Sequence, residues 1–321
     1  MRFVVYGAGA IGGAVGARLH QSGHDVLLIA RGAHHDAIAE HGLTLETPEE
    51  RVTLRIPVAR DPAAASIGPD DVLLLTMKGQ DTADALDALR AAAGTEMALV
   101  CMQNGVENER VALRRFPRTY GAVVMLPATH LEPGNVQAHG TTLTGSIDVG
   151  LYPQGIDEVC AAVSEALSAS RFESTPREDI MRYKHAKLIA NLGNAIQVVC
   201  GNDADAGELT GRARDEGRAV LRAAGIEFDV PDVDDIAGRW RRWGVGEIAG
   251  RPRAGGSTWQ SVVRGTGRLE VDYLNGEIVL RGRFAGVPTP VNELLQELAW
   301  ETVRGGHAPG WMSAEDVLAR L

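Results

Sequence analysis

The residues of this chain with the most chemical capacity fall into two groups. The first is Gly7-Ala8-Gly9-Ala10-Ile11-Gly12, a GxGxxG that follows the β-branched and aromatic run of residues 2–6 and precedes a helical stretch closed by Ser22-Gly23. Gly7 permits a tight turn, Gly9 lets the backbone approach a pyrophosphate, and Gly12 lets helix and strand pack closely. The helix N-terminus then turns N–H groups and partial positive charge toward the phosphates. A glycine-rich turn in another α/β protein is the competing reading. The strand before, the helix after and the return to a second apolar run, residues 26–30, favour a dinucleotide loop. That second strand ends on Arg31, where NAD and FAD sites commonly place an acidic residue for the ribose 2′-OH. A guanidinium pairs with a 2′-phosphate instead, which favours NADP(H) over an arginine merely solvated at a strand end.

The second group lies further along. Lys78 follows the apolar run DVLLLT, residues 71–76, and Asn104 follows another, residues 97–102. Both stand at the carboxyl ends of expected parallel strands, where such sheets bind ligands, although a solvated lysine and an Asn-Gly turn would also account for them. The stretch Tyr183-Lys184-His185-Ala186-Lys187-Leu188-Ile189-Ala190-Asn191-Leu192-Gly193-Asn194 is read as helix. On one continuous helix Asn191 lies about 40° from Lys187 and Asn194 about 20° the other way. One face thus carries an ammonium and two carboxamides amid apolar residues, and a buried polar stripe of this kind needs a partner such as a small polar substrate. Ser257-x-x-Gln260 reads as a capping box and, through the helix N-terminus, as a site for a carboxylate.

The elements that must position these groups follow from periodicity. Strands alternate with helices up to about residue 121, implying a mostly parallel sheet, and residues 122–149 read as short strands that finish it with antiparallel edges. Residues 43–45 and 52–56 suggest a small hairpin. Thr175-Pro176 reads as a helix start and domain boundary, with strands nearly absent beyond it. Helical stretches are expected over residues 176–200, 206–224, 233–243, from 257, and 290–303. The expectation is an α/β protein: a Rossmann-type doubly wound NADP-binding domain over residues 1–175 and an all-helical substrate and catalytic domain over residues 176–321.

Composition narrows the classes. The chain has 321 residues, 42 acidic against 32 basic, a formal charge of −10. Nucleic-acid phosphates would be repelled, and Arg239-Trp240-Arg241-Arg242-Trp243 reads as a helix face. Cys101, Cys160 and Cys200 match no zinc or redox spacing and read as reduced core residues, and no metal is expected. His34-His35 reads as an exposed turn. With a strand from residue 2 and no apolar run of membrane-spanning length, the expectation is a soluble cytoplasmic protein with no membrane partner.

GAGAIGG at the start, TMKG at residues 76–79, QNGVEN at 103–108, KLIAN at 187–191, RLEVDYLNG at 268–276 and GVPTPVN at 286–292 together resemble the ketopantoate reductase family. The resemblance spans nearly the whole chain. It implies an N-terminal Rossmann domain, a helical C-terminal domain and an active-site cleft between them. It further implies that Lys78, Asn104 and Glu270 contact cofactor or substrate, that Lys187 is the proton donor, and that Asn191 and Ser257 hold the substrate. Glu270 would lie on a helix, although the alternation around Asn275-Gly276 by itself resembles a hairpin. Asn194 comes three residues after Asn191, where the family pattern more often has four, and a further substrate asparagine has no secure counterpart near residues 202–206. The function implied is NADPH-dependent reduction of a 2-oxo acid, most specifically 2-dehydropantoate to pantoate. A different 2-oxo or dicarbonyl substrate, and a regulatory protein that binds NADPH without turnover, are the alternatives. The partners implied are the small-molecule substrate and, as one open arrangement, a second copy of the chain in a homodimer.

Overall fold

The computed structural model describes residues 1–202, 204–228, 243–251, 253, 255–265 and 267–321. By their contacts these form two compact units, Met1–Met181 with Asp232–Arg253, and Arg182–Pro231 with Ala254–Leu321.

The first unit is built on an eight-stranded sheet of order β12-β11-β8-β7-β6-β1-β2-β5. Its strands are β1 (Arg2–Tyr6), β2 (Asp25–Ile29), β5 (Val58–Ala59), β6 (Val72–Leu75), β7 (Ala98–Cys101), β8 (Thr119–Met125), β11 (Gly145–Leu151) and β12 (Phe172–Glu173). All pairings are parallel except β8 with β11. The chain lays β2 and β5 to one side of β1, then returns to lay β6, β7 and β8 on the other. The direction of winding therefore reverses at β1 and β6, and a doubly wound sheet binds its ligand beyond the strand ends at that reversal. β6, VLLL, and β7, ALVC, are buried along their whole length because helices cover both faces of a parallel sheet. Each such leucine contributes about 1.5–3 kcal/mol of gross burial energy.

The hairpin expected near residues 43–56 is present as β3 (Leu43–Glu46) against β4 (Arg51–Leu54). It belongs to a second sheet, β4-β3-β10-β9, completed by β9 (Ala128–Thr129) and β10 (Asn135–Ala138). The helix Ala10–Gln21 packs against both sheets, sharing one core with Val5, Leu28, Leu43 and Val136. Trp243, the one described residue of the basic-aromatic run, is buried, and its carbonyl accepts from Thr141 Oγ1 at 2.6 Å. The rest of that run and of the stretch expected over residues 233–243 lies outside the described residues.

The helix expected from Thr175-Pro176 begins instead at Ile180. Residues 175–177 are drawn out along the sheet: Thr175 N donates to Asp148 Oδ1 at 3.0 Å, Arg177 N to the Val149 carbonyl at 2.8 Å, and Arg177 Nε pairs with the buried Asp148. A buried carboxylate that needs donors outweighs the local preference of Thr-Pro for a helix start.

The described elements of the second unit are helical. The helix Ile180–Asn191 runs into it and is followed by Asn194–Val199, Gly207–Ala223, Ser257–Val263, Asn275–Ala285, Pro290–Arg304 and Ala314–Leu318. The continuous helix expected over residues 176–200 is thus broken at Leu192-Gly193. Pro290–Arg304 packs against Asn194–Val199, Gly207–Ala223 and Asn275–Ala285. A buried hydrogen-bond network joins them. Glu216 accepts from Val291 N at 2.8 Å and from Asn292 N at 3.0 Å, satisfying two orphan donors at the start of Pro290–Arg304. Asn292 Nδ2 donates to Glu216 and to the Ala213 carbonyl, and its Oδ1 accepts from Asn275 Nδ2 at 3.0 Å. Asn275 Nδ2 also donates to the Leu192 carbonyl at 3.1 Å, tying the break after Asn191 to the helix Asn275–Ala285.

Candidate active site

In the first unit the carboxyl ends of four adjacent strands, β7, β6, β1 and β2, carry the residues singled out from the sequence. Gly7 follows β1 with φ of +106°, and a Cβ there would come within 2.9 Å of Met77 N. Gly7 N and Ala8 N both donate to the Ile29 carbonyl, at 3.0 and 3.2 Å, pinning the loop to the end of β2. A Cβ on Gly12 would collide with Thr76 Oγ1 and the Gly7 carbonyl, whereas one on Gly9 would meet nothing nearer than His130 Cδ2 at 4.0 Å. The loop is therefore closed against the sheet at Gly12 and open beside Gly9. Gly9 caps the helix Ala10–Gln21 without a side chain, so the first-turn N–H groups of Ala10, Ile11 and Gly12 have no intrahelical acceptor. An open glycine face next to unsatisfied donors fits the pyrophosphate of a dinucleotide.

Arg31 lies two residues beyond β2 and stands exposed at the N-cap of the helix Gly32–His41. The exposed turn expected at His34-His35 is instead the first turn of this helix, with His34 half-buried and His35 buried. The cause is a partner that sequence spacing does not reveal: His34 bridges the Ala8 carbonyl and Gly134 N.

Lys78 and Asn104 follow neighbouring parallel strands at equivalent positions. Leu75 of β6 pairs with Cys101 of β7, and each polar residue lies three positions beyond its strand partner. A buried network holds the two turns together. Gln103 Nε2 donates to the Met77 carbonyl at 2.9 Å and to Thr82 Oγ1 at 2.8 Å. Thr82 in turn donates to Asn108 Oδ1 at 2.8 Å, and Asn108 Nδ2 returns to the Asn104 carbonyl at 2.9 Å. Thr76 Oγ1 links β6 to the loop by donating to the Gly7 carbonyl at 2.8 Å. Periodicity alone misses Thr76, Gln103, Thr82 and Asn108 in these supporting roles; the only signal for them is that uncharged polar residues crowd the ends of fully apolar strands.

In the second unit Lys187 and Asn191 share the helix Ile180–Asn191, one turn apart. Lys187 is half-buried and Glu270 is buried. The Lys187 amine is lowered to about 7: burial is the largest cause, the like charge of Lys184 adds to it, and the Glu270 carboxylate opposes both. Ordinary lysine stays charged near neutrality, but an amine at about 7 exchanges its proton there, as a general acid requires. The buried Lys184, one turn before it, takes part in that tuning.

Three expectations about this unit change. Asn194 opens the next helix, with Gly193 as its N-cap, so it does not continue the face of Lys187 and Asn191. It lies instead near Ser257: a Cβ on Gly256 would be 3.8 Å from Asn194 Oδ1. Ser257 forms no capping box. It is the first residue of the helix Ser257–Val263, Gly256 is the N-cap, and no side chain caps that end. The extended Gly256 backbone starts the helix one residue earlier than the box needs, and Gly256 N is held by Gln197 Oε1 at 3.2 Å. Glu270 lies in neither hairpin nor α-helix but caps the 3₁₀ turn Val271–Tyr273, after which Asn275-Gly276 opens the helix Asn275–Ala285. Of the three cysteines, none is in a disulfide; Cys101 and Cys160 are buried and Cys200 is half-buried. Among the described residues no cluster of metal-ligating side chains occurs, and no helix is long and apolar enough to cross a membrane.

The chain is similar to known proteins over nearly its whole length. The family described as Ketopantoate reductase PanE/ApbA matches residues 3–154, and its C-terminal counterpart, Ketopantoate reductase PanE/ApbA C terminal, matches residues 179–301. A 2-dehydropantoate 2-reductase of Pyrococcus horikoshii is 30% identical over 95% of this chain and 99% of its own length. Among solved structures, the PanE/ApbA family ketopantoate reductase of Ralstonia eutropha JMP134 is 29% identical with a TM-score of 0.78, covering 96% of this chain and 99% of that one. A D-mandelate dehydrogenase solved with NADH and anilino(oxo)acetate is 25% identical with a TM-score of 0.81, covering 95% of this chain and 99% of that one.

Proposed function

The chain belongs to the ketopantoate reductase family, and from that premise we propose that it is an NADPH-dependent oxidoreductase that reduces a 2-oxo acid to the 2-hydroxy acid, with 2-dehydropantoate as the substrate of first choice. The observation that carries this reading is Lys187, half-buried one turn before Asn191 on a single helix, its amine lowered to about 7 by burial and Lys184 against the opposing Glu270. Bound at the glycine loop, NADPH would supply the hydride for the keto carbon. The Lys187 ammonium polarises the keto oxygen and passes its Nζ proton to the oxygen as negative charge develops, leaving a neutral amine that water reprotonates. Glu270 favours the charged amine, so it loads the acid that burial would otherwise discharge.

The cofactor is held by the sheet-bearing part, read from the sequence as residues 1–175, and the substrate by the helical part, residues 176–321. Gly7, Ala8, Gly9, Ala10, Ile11 and Gly12 cradle the pyrophosphate, Arg31 pairs with the 2′-phosphate, and Lys78 and Asn104 contact the cofactor or substrate at the neighbouring strand ends. Asn191, Asn194 and the Ser257 hydroxyl hold the 2-oxo acid, Ser257 by direct hydrogen bond. The enzyme works in the cytoplasm on a small molecule, without nucleic acid or membrane, and a homodimer is compatible with it.

The likeness to D-mandelate dehydrogenase favours a second reading, in which the 2-oxo acid carries an aryl side chain. NADPH oxidation followed at 340 nm across 2-dehydropantoate, phenylglyoxylate and short aliphatic 2-oxo acids decides between them. The proposal expects the highest kcat/KM with 2-dehydropantoate. A preference for phenylglyoxylate installs the second reading, and binding of NADPH without turnover of any oxo acid overturns both.

A further inference from the structure

The glycine loop has a fixing contact that its sequence pattern does not announce. The peptide joining Ala8 to Gly9 lies at the open side of the loop. Its N–H, that of Gly9, donates to the Gly7 carbonyl at 2.7 Å, and its carbonyl, that of Ala8, meets His34 Nε2 at 2.6 Å. The other ring nitrogen, His34 Nδ1, accepts from Gly134 N at 2.9 Å. An acceptor at Nδ1 places the proton of a neutral imidazole on Nε2, so His34 is the donor to Ala8. The ring is wedged further by His130, with centroids 4.2 Å apart and planes tilted by 48°, and His130 Nδ1 is itself bonded to the Asn135 carbonyl at 3.0 Å. His34 thus joins three segments of the first unit: the glycine loop, the first turn after β2, and the turn that leads into β10.

We propose that His34 is a positioning residue for the dinucleotide, a latch that holds the Ala8–Gly9 peptide so that the loop keeps its donors in register for the pyrophosphate. This rests on the reading of that loop as the cofactor site. Glycine follows the peptide, so rotation about it meets little steric resistance, and a side-chain cap that could oppose rotation is absent at Gly9. Rotation would release the Ala8 carbonyl and break the Gly9 to Gly7 bond together, removing the pre-organisation on which anion binding depends. Burial lowers the His34 pKa, which keeps the imidazole neutral near pH 7 and its Nδ1 able to accept from Gly134. His34 has no place in the hydride or proton transfer.

The test compares His34→Leu, which removes the donor, with His34→Gln, whose side-chain amide can donate to the same carbonyl. NADPH affinity is read from nicotinamide fluorescence, and amide exchange at Gly9 is read in the cofactor-free protein. Loss of one net hydrogen bond predicts NADPH binding weakened about 5- to 10-fold in His34→Leu, faster Gly9 exchange, and recovery of most of the affinity in His34→Gln. At saturating NADPH, kcat should stay within about two-fold of the unaltered chain, since only ground-state cofactor binding has changed. Unaltered affinity and unaltered Gly9 exchange in His34→Leu overturn the latch, as does an equal loss in His34→Gln, which would assign the effect to ring packing. If the unaltered chain binds no NADPH while Gly9 exchange still quickens in His34→Leu, the latch on the loop stands and the cofactor reading falls.

Discussion

Replacing Lys184 with methionine should raise the pKa of Lys187, because the structure makes the first lysine part of the setting of the second. Two ammonium groups three residues apart on a helix lie roughly 8 Å from each other, and at an effective dielectric of about 20 to 60 they repel by about 0.7–2 kcal/mol. That corresponds to about 0.5–1.5 pH units. The Lys187 amine, at about 7 with burial as the largest cause, should therefore move up by that amount in Lys184→Met and remain below the ordinary lysine value, because burial persists. Glu270→Gln should move it the other way, since the carboxylate is the influence that raises it. NMR of protein carrying lysine labelled at Cε, titrated from pH 5 to 11, follows the amine directly, and Lys187→Met identifies its signal. A folding consequence runs in parallel. The folded value lies below the unfolded one, so between pH about 7 and 10.5 the unfolded chain holds the extra proton and stability rises with pH. The cost of burying the charge is complete below about 7, so Lys187→Met should gain most stability at pH 6, by up to about 3 kcal/mol after allowing for the remaining solvent contact, and progressively less toward pH 10. A Lys187 signal that titrates near 10.5, or a midpoint that Lys184→Met leaves in place, would refute the reasoning.

Three further outcomes are expected. Arg31→Ala should narrow the preference for NADPH over NADH by about 10- to 100-fold, the loss of one charge-assisted bidentate contact, measured as a ratio of dissociation constants; equal affinity for both cofactors in the unaltered chain would remove the 2′-phosphate assignment. Ser257→Ala should raise KM for the oxo acid while leaving the thermal midpoint nearly unchanged, because Gly256 rather than Ser257 caps that helix. Asn292→Leu should cost about 2–4 kcal/mol in denaturant unfolding, since it strips partners from Glu216, Asn275 and the Ala213 carbonyl at once; a loss below about 0.5 kcal/mol would show that the network is dispensable.

The sheet-bearing part was legible because two periodicities and one glycine pattern agree there. DVLLLT and its neighbour are apolar throughout, and only a strand covered on both faces needs that. The places where local reading failed share one cause, a distant partner. Thr175-Pro176 is drawn into the sheet by Asp148, and His34 is drawn inward by Ala8 and Gly134. The break after Asn191 could not be seen in residues whose local pattern continues a helix, and its tie to Asn275 spans 83 positions. Ser257-x-x-Gln260 has the composition of a capping box, yet one residue of shift in the helix start dissolves it. Lys184 shows the same limit for the site. By sequence alone it is a like-charged neighbour suited to serve as a mild control for Lys187; in the structure it is buried and acts on Lys187. Charge type and spacing are written in the chain, while the burial that shifts a pKa is written in the packing.

The central claim is that Lys187 donates the proton that completes reduction, and a single-turnover experiment tests it most directly. Chain preloaded with NADPH is mixed with excess 2-dehydropantoate, and the decay at 340 nm is followed for the unaltered protein and for Lys187→Met, which keeps most of the side-chain volume. The account predicts a hydride-transfer rate at least about 100-fold lower in Lys187→Met, the usual scale for a positioned proton donor, with NADPH affinity nearly unchanged. A Lys187→Met rate within a few-fold of the unaltered protein, with NADPH still bound, would contradict it.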